Sequence, residues 1–209
     1  MPFRFLLITV LLLVSSCVKS QNRNAIEKLV GGPCEGCEAI YEYGDKLLNS
    51  IDTLPGFITS NQKIKISGTV YKKDGKTPAK DVILYAYHTD EKGIYPKRNS
   101  SIGWERRHGY LRGWIKTDVS GNYSFYTSKP ASYPNTSLPQ HIHITVKEPD
   151  KNEYYIADIY FESDPNLTDG IRNRQNHRGG SGIVKLRKNR QLLEAKRDII
   201  LGLHIPNYN

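Results

Sequence analysis

Residues 64–71 read Ile-Lys-Ile-Ser-Gly-Thr-Val-Tyr, and this alternation of apolar and polar side chains constrains the fold more than any other feature of the chain. Side chains repeat every second residue along a strand but every 3.6 or so along a helix, so only a strand gathers Ile64, Ile66 and Val70 onto one face. The texture recurs. Val82–Tyr87 is a second apolar run, closed by Asp90-Glu91-Lys92-Gly93. Leu111–Thr117 and Tyr123–Thr127 flank the hairpin-like connection Asp118–Asn122, and His141–Lys147 and Tyr154–Phe161 are split by a turn at Pro149–Asn152. Gly182–Leu186 and Asp198–Leu203 complete the set, with Gln191–Lys196 as a turn or short helical piece. No amphipathic helix of any length separates these runs. Short strands at close spacing predict an all-β fold, a β-sandwich over residues 63–209.

The chain ahead of residue 63 divides in two. Residues 1–16 carry one basic residue, Arg4, and then the apolar run Phe5–Val14. That run is too short to span a bilayer, which takes about 20 residues, and reads as an export signal. It ends in Val14-Ser15-Ser16-Cys17, which resembles a bacterial lipobox. Acylation of Cys17 would anchor the protein to the membrane of a bacterial cell envelope by lipid alone; ordinary cleavage, with Cys17 a bystander, is the other reading. Residues 17–62 are expected to form a tether and an irregular arm. Within the arm, Cys34-x-x-Cys37 fits a zinc half-site, a redox pair or a disulfide. The chain has 3 cysteines, so no second pair completes a zinc site, and in an exported protein a disulfide across a tight glycine-containing turn is the preferred reading. Ala39–Ile51 fits a short helix or an extended arm equally well. The formal charge of +9 comes from Lys and Arg spread along the chain without a recognition helix or zinc finger, so no nucleic-acid partner is expected.

Chemistry concentrates near residue 141. His141 and His143 stand on alternate positions of an apolar run and therefore face the same side of a strand. A strand that gives two same-face positions to imidazole forgoes packing there, and a shared ligand would offset that loss. A strand rim, where the rings meet water or each other, is the bland alternative.

Gly93-Ile94-Tyr95, Arg112-Gly113, Thr117-Asp118, Gly121-Asn122-Tyr123-Ser124-Phe125, Pro130, Tyr133-Pro134 and Pro139-Gln140-His141-Ile142-His143 follow one another in that order. As a series they resemble the intradiol ring-cleavage dioxygenases, the family of the catechol and protocatechuate dioxygenases, from about Lys63 to Phe161 and more weakly to the end. The resemblance implies a β-sandwich with a non-haem ferric ion, Fe(3+), held by Tyr95, Tyr133, His141 and His143. Tyr133 and His143 would be axial, Tyr95 and His141 equatorial. It implies a catechol-type aromatic diol and dioxygen as substrates, with the ring opened between its two hydroxylated carbons. Tyr133 would be the catalytic tyrosine, leaving the ion to serve as base. The residue types suit such an ion, since hard ferric iron favours anionic phenolate oxygen and imidazole completes the set. Its charge draws a phenol from the usual pKa of about 10 toward the ionised form. Trp104, Trp114 and Tyr87 read as core or pocket wall, and His88, His108, His177 and His204 receive no role.

Two positions depart from the family pattern. The arginine usual three residues before the first ligand histidine is Leu138 here, and a glutamine common in the following strand is Asp158. A missing guanidinium is a missing preorganised charge beside the substrate. Arg106, Arg107 and Arg112 are the candidates to replace it. The short connection from Tyr133 to His141 predicts a trimmed, open pocket. These changes sustain a second expectation, a degenerate dioxygenase that holds iron or a catechol-type ligand without turnover. A third arises because Gly68-Thr69-Val70, Gly75-Lys76-Thr77-Pro78 and Val82 also resemble transthyretin-like and carboxypeptidase-regulatory-like sandwiches, which are non-catalytic binding modules. Those modules do not require Tyr95, Tyr133, His141 and His143 to converge.

Overall fold

The computed structural model describes residues 29–209; the export signal, Cys17 and the start of the tether lie outside the described residues. A 3-10 helix at Cys37–Tyr41 leads into β1 (Ile51–Thr53), β2 (Lys63–Tyr71), β3 (Ile83–Tyr87), α1 (Glu105–His108), β4 (Arg112–Lys116), β5 (Asn122–Ser128) and β6 (His141–Lys147). There follow β7 (Tyr154–Tyr155), β8 (Ile159–Phe161), α2 (Asp169–Asn173), β9 (Ile183–Val184), β10 (Arg187–Asn189), β11 (Leu192–Lys196) and β12 (Ile199–Ile200). One sheet has the order β1-β5-β2-β11-β10, with β12 also on β2; the other has the order β4-β3-β6-β8-β9, with β7 also on β6. The all-β sandwich expected from the alternation is the observed architecture.

The alternation also decides what fills the sandwich. Ile64, Ile66 and Val70 of β2 and Phe125 of β5 meet Leu84 and Ala86 of β3, Ile142, Ile144 and Val146 of β6, and Ile159 and Phe161 of β8 in one core. The intervening residues of β3 and β6 therefore point away from that core, and they include Tyr85, Tyr87, His141, His143 and Thr145. A second, smaller cluster of Ala39, Ile40, Tyr85 and Trp114 packs there, so the 3-10 helix covers part of the outer face of the second sheet.

Four local readings change, the first being that Asp118–Asn122 joins no hairpin, because β4 pairs with β3 in the second sheet and β5 with β1 and β2 in the first, so the connection crosses between sheets. Ala39–Ile51 is neither one helix nor one arm, but a 3-10 turn followed by an extended stretch that enters the first sheet as β1, parallel to β5. Gln191–Lys196 is not a turn or helical piece, because Leu192–Lys196 forms β11 parallel to β2, with Leu193 opposite Ile64 and Ala195 opposite Ile66. Leu-Leu-Glu-Ala-Lys has good helix propensity, and the open edge of β2 overrides it. Tyr154–Phe161 breaks into β7 and β8, since Ala157 N–H turns aside to donate to the Arg178 carbonyl at 2.9 Å. Among the described residues no helix is long and apolar enough to cross a membrane.

His88 continues β3 into the interior and is fully buried. Its Nδ1 lies 2.7 Å from the Thr89 carbonyl oxygen and its Nε2 2.6 Å from Thr127 Oγ1 on β5. A neutral ring satisfies both contacts, with Nδ1–H donating to the carbonyl and Nε2 accepting from the hydroxyl. Burial lowers the His88 pKa from 6.5 to about 4. The unfolded chain takes up a proton in this window that the folded chain refuses, so stability falls as pH drops through 6.5 and levels off below about 4. His88→Asn removes that term. In urea titrations of the metal-free protein, the stability of the wild type relative to the variant is expected to shrink by roughly 3 kcal/mol between about pH 7.5 and about pH 4. A difference that does not change with pH contradicts a neutral, buried His88.

Candidate metal centre

Three segments build the site on the outer face of the second sheet. β6 supplies His141 and His143; the chain leaving β3 supplies Tyr95; the β5–β6 connection supplies Tyr133. The two connections are tied together. Ala131 N–H donates to the Asp90 carbonyl at 3.0 Å, and Thr89 Oγ1 donates to the Ala131 carbonyl at 2.7 Å. Asp90 Oδ1 in turn accepts from Ile94 N–H at 3.0 Å, which shapes the turn just before Tyr95. Gly93, at φ +77°, lies against Ser132 so closely that a Cβ would stand 1.9 Å from the Ser132 carbonyl oxygen. The tyrosines are therefore set by neighbouring backbones in contact.

The four candidates of the sequence meet. Tyr95 Oη is 2.5 Å from Tyr133 Oη and 2.9 Å from His143 Nε2, and Tyr133 Oη is 3.3 Å from the same nitrogen. The His141 ring stands at 83° to that of His143 with centroids 4.6 Å apart, and meets Tyr133 edge-on at 5.2 Å. Both imidazoles have their other nitrogen engaged. His141 Nδ1 is 2.7 Å from the Pro139 carbonyl oxygen, and His143 Nδ1 is 3.0 Å from Asp158 Oδ1. Carbonyl and carboxylate oxygens only accept, so each Nδ1 carries a proton, and in the neutral ring each Nε2 is left as the lone pair. His141, His143 and Asp158 offer ligand-type atoms within 4.8 Å of one another.

Burial, followed by the hydrogen bond with Tyr133, pushes the Tyr95 phenol well above the ordinary tyrosine range, and burial raises Tyr133 as well. Burial lowers the pKa of His141. Before any cation binds, burial thus favours the neutral forms of Tyr95, Tyr133 and His141. A cation of high charge reverses the balance, because ionised phenols would then be paired rather than isolated in a poorly solvated site. Two phenol oxygens and two bare imidazole nitrogens form a donor set that fits hard ferric iron.

Other residues complete the surroundings. Tyr87, read from the sequence as pocket wall, lies opposite His143 in the β3–β6 ladder and stacks on it with centroids 4.6 Å apart. His108 stacks on the far side of Tyr87 at 3.9 Å and 9°, and Tyr85 Oη lies 3.0 Å from its Nδ1. Strand pairing foretells Tyr87. Nothing in the sequence singles out His108, which comes from α1. The arginines considered as substitutes at Leu138 are occupied elsewhere: Arg112 pairs with Glu42 at 2.6 Å and Glu105 at 3.6 Å, Arg107 pairs with Glu35, and Arg106 Nε donates to the Ser101 carbonyl. Cys34 and Cys37 are joined in a disulfide. Their turn, with Tyr87, His143, Tyr155 and Asp158, encloses a cavity of about 270 Å³ beside the site.

Residues 46–192 match a family model described as Dioxygenase. The structure is similar to the dioxygenase domain of a dioxygenase–carbohydrate-binding protein fusion from the cellulolytic bacterium Streptomyces sp. SirexAA-E, with a TM-score of 0.57 and 21% identity over 77% of this chain and 94% of that one. It is also similar to catechol 1,2-dioxygenase from Pseudomonas arvilla C-1 (TM-score 0.57, 19% identity, 83% of this chain and 61% of that one). Hydroxyquinol 1,2-dioxygenase from Pseudomonas putida DLL-E4 gives a TM-score of 0.53 at 18% identity, over 87% of this chain and 68% of that one. At these identities the structural likeness is one of fold.

The contact between the two tyrosine-bearing segments has a direct test. Gly93→Ala adds both a Cβ in a left-handed conformation and a clash with Ser132, and is expected to cost about 3 kcal/mol or more. Gly32→Ala is the control: φ is +72° there, but nothing lies within 4 Å of the added Cβ. It should cost only the backbone strain, about 1 kcal/mol. Equal losses for the two variants in denaturant unfolding contradict the tight seam.

Proposed function

The chain belongs to the intradiol dioxygenase family, and from that premise we propose that it is a non-haem ferric dioxygenase that opens a catechol-type aromatic ring between its two hydroxylated carbons, using dioxygen. The observation that supports this reading is the meeting of Tyr95 Oη, Tyr133 Oη and His143 Nε2 within 3.3 Å, with His141 at a right angle beside them. A transthyretin-like or carboxypeptidase-regulatory-like binding module has no need of that convergence and does not account for it.

Ferric iron, when bound, supplies Lewis acidity that makes a ring diol acidic and electron-rich toward dioxygen. The protein's part is to hold donors and move protons. Tyr95 is braced by Tyr87, with ring centroids 6.0 Å apart, and by His143. Tyr133 sits on a connection whose following residues 134–138 are exposed, which makes it the tyrosine free to swing away, and its phenolate oxygen would be the base for one diol proton. His141 and His143 stay fixed through Pro139 and Asp158. The adjoining cavity, lined by Tyr87, Tyr155, His143 and Asp158, gives a small aromatic room beside the donors. Acylation at Cys17 would hold this activity at the bacterial cell envelope.

A second reading, iron or catechol binding without turnover, is favoured by one specific observation. Leu138 is half-exposed at the position where the family pattern has an arginine, and Arg106, Arg107 and Arg112 are all engaged elsewhere.

The protein without residues 1–16, loaded with ferric iron, is expected to show the visible charge-transfer colour of bound tyrosinate, shifting when catechol is added. Tyr133→Phe and His143→Ala should each lose iron while keeping the far-ultraviolet circular dichroism of the sandwich. Iron retained in both variants contradicts the site. Colour and a catechol shift without any ring-opened dicarboxylic acid by mass spectrometry select the second reading.

A further inference from the structure

We propose that Asp158 is a positioning residue that locks His143 with its proton on Nδ1 and, through the full charge of its carboxylate, makes His143 Nε2 a stronger donor to the ion bound there. The proposal rests on the ferric reading of the site. It goes beyond that reading by giving work to a residue at which this chain departs from the family pattern, a carboxylate where an uncharged amide is usual.

The geometry is specific. Asp158 Oδ1 accepts from His143 Nδ1 at 3.0 Å, and Oδ2 lies 3.4 Å from Tyr160 Oη. A glutamine or asparagine side chain presents either an oxygen or an NH₂ group to an imidazole and so tolerates both tautomers. A carboxylate only accepts, which leaves one tautomer. Nε2 must then face the phenols as a lone pair.

The backbone around Asp158 is clamped, so the carboxylate has little room to drift. Ala157 N–H donates to the Arg178 carbonyl and Tyr160 N–H to the Gly182 carbonyl, each at 2.9 Å. Gly182 approaches so closely that a Cβ there would stand 1.9 Å from the Asp158 carbonyl oxygen. Arg197 Nη2 donates to the Ala157 carbonyl at 2.6 Å.

Arg197 supplies the electrostatic half. Its side chain is buried, its Nε and Nη1 have no hydrogen-bond partner, and it forms no ion pair among the described residues. A buried guanidinium needs a counter-charge, and Asp158 lies within its Coulombic reach. The Asp158 carboxylate thus has a buried cation within its Coulombic reach and an imidazole at hydrogen-bond distance. Carboxylates in this outer position fix ring orientation and raise ligand basicity, and their loss typically lowers metal affinity 10–100-fold, as an order of magnitude.

The test uses the full chain with Asp158→Asn, which keeps shape and removes charge, and Asp158→Leu, which also removes the acceptor. In the metal-free proteins, imidazole ¹⁵N NMR is expected to show His143 as the Nδ1–H tautomer in the wild type and as a mixture in Asp158→Leu. With ferric iron, both variants should bind about 10–100-fold more weakly in chelator competition, and the tyrosinate charge-transfer band should move to longer wavelength as the weaker imidazole leaves the ion more electron-poor. An unchanged tautomer together with wild-type affinity in both variants overturns the proposal. Complete loss of iron from Asp158→Asn with an unchanged His143 tautomer also overturns it, since that pattern marks a direct ligand. A wild type that binds no iron defeats the ferric reading, and the proposal is then decided by the tautomer alone: an Nδ1–H His143 that depends on Asp158 supports the positioning, an independent one overturns it.

Discussion

The antiparallel pairing of β3 with β6 is the interaction on which both the core and the site depend. Leu84 lies beside Val146, Ala86 beside Ile144 and Tyr87 beside His143 in a single register. Because side chains alternate, the same ladder sends aliphatic groups into the sandwich and Tyr85, Tyr87, His141 and His143 to the outer face. A slip of one residue would bury the imidazoles and expose Ile142 and Ile144, losing about 2 kcal/mol of burial for each isoleucine besides the desolvation of two polar rings. The register that forms the core thus also presents the ligands.

The outer face would be a poor place for two aromatic strands without a cover, and the arm supplies one. The disulfide turn at Cys34–Cys37 and the 3-10 helix beyond it put Ala39 and Ile40 against Tyr85 and Trp114. Arg112, Glu42 and Glu105 form an ion-pair cluster beside that patch, and Glu42 Oε1 also accepts from Trp104 N–H at 2.8 Å. Burial at the site itself pushes the Tyr95 and Tyr133 phenols further above the ordinary tyrosine range. Burial of Tyr87 and His108 acts in the same sense, raising the phenol and lowering the imidazole to about 4. The site holds its donors close together, and binding of a cation there would release phenol protons.

What the sequence disclosed follows the range of the interactions involved. Alternation is local, so β2, β3, β5 and β6 are readable from their own residues, and so is the shared face of His141 and His143. Tyr95 and Tyr133 are readable only as members of an ordered series of motifs, because the contact that joins them, Gly93 on Ser132, lies between connections far apart in the chain. β11 is hidden for the opposite reason: its residues prefer helix, and only the edge of β2 makes them a strand. His108 and Arg197 carry no local signal at all. The first matters through a stack on Tyr87, and the second through its buried charge.

The two departures from the family pattern act on the site in the same electrical direction. An arginine replaced by Leu138 and a glutamine replaced by Asp158 each make the surroundings of the donors more negative by about one unit charge. Had the carboxylate been added alone, it would be a desolvated anion beside two phenols, opposing their ionisation. Arg197 alters that account, since its buried charge lies within Coulombic reach of Asp158 and offsets the carboxylate. The positive charge that the family pattern places at the substrate rim is thus absent from Leu138, while a buried guanidinium lies within Coulombic reach of the carboxylate that holds His143. A rim with an exposed leucine offers a substrate apolar contact in place of charge recognition. Under the proposed ferric reading, these electrostatics would favour holding the ion and would leave a ligand in the cavity beside it to be selected by shape and apolar contact.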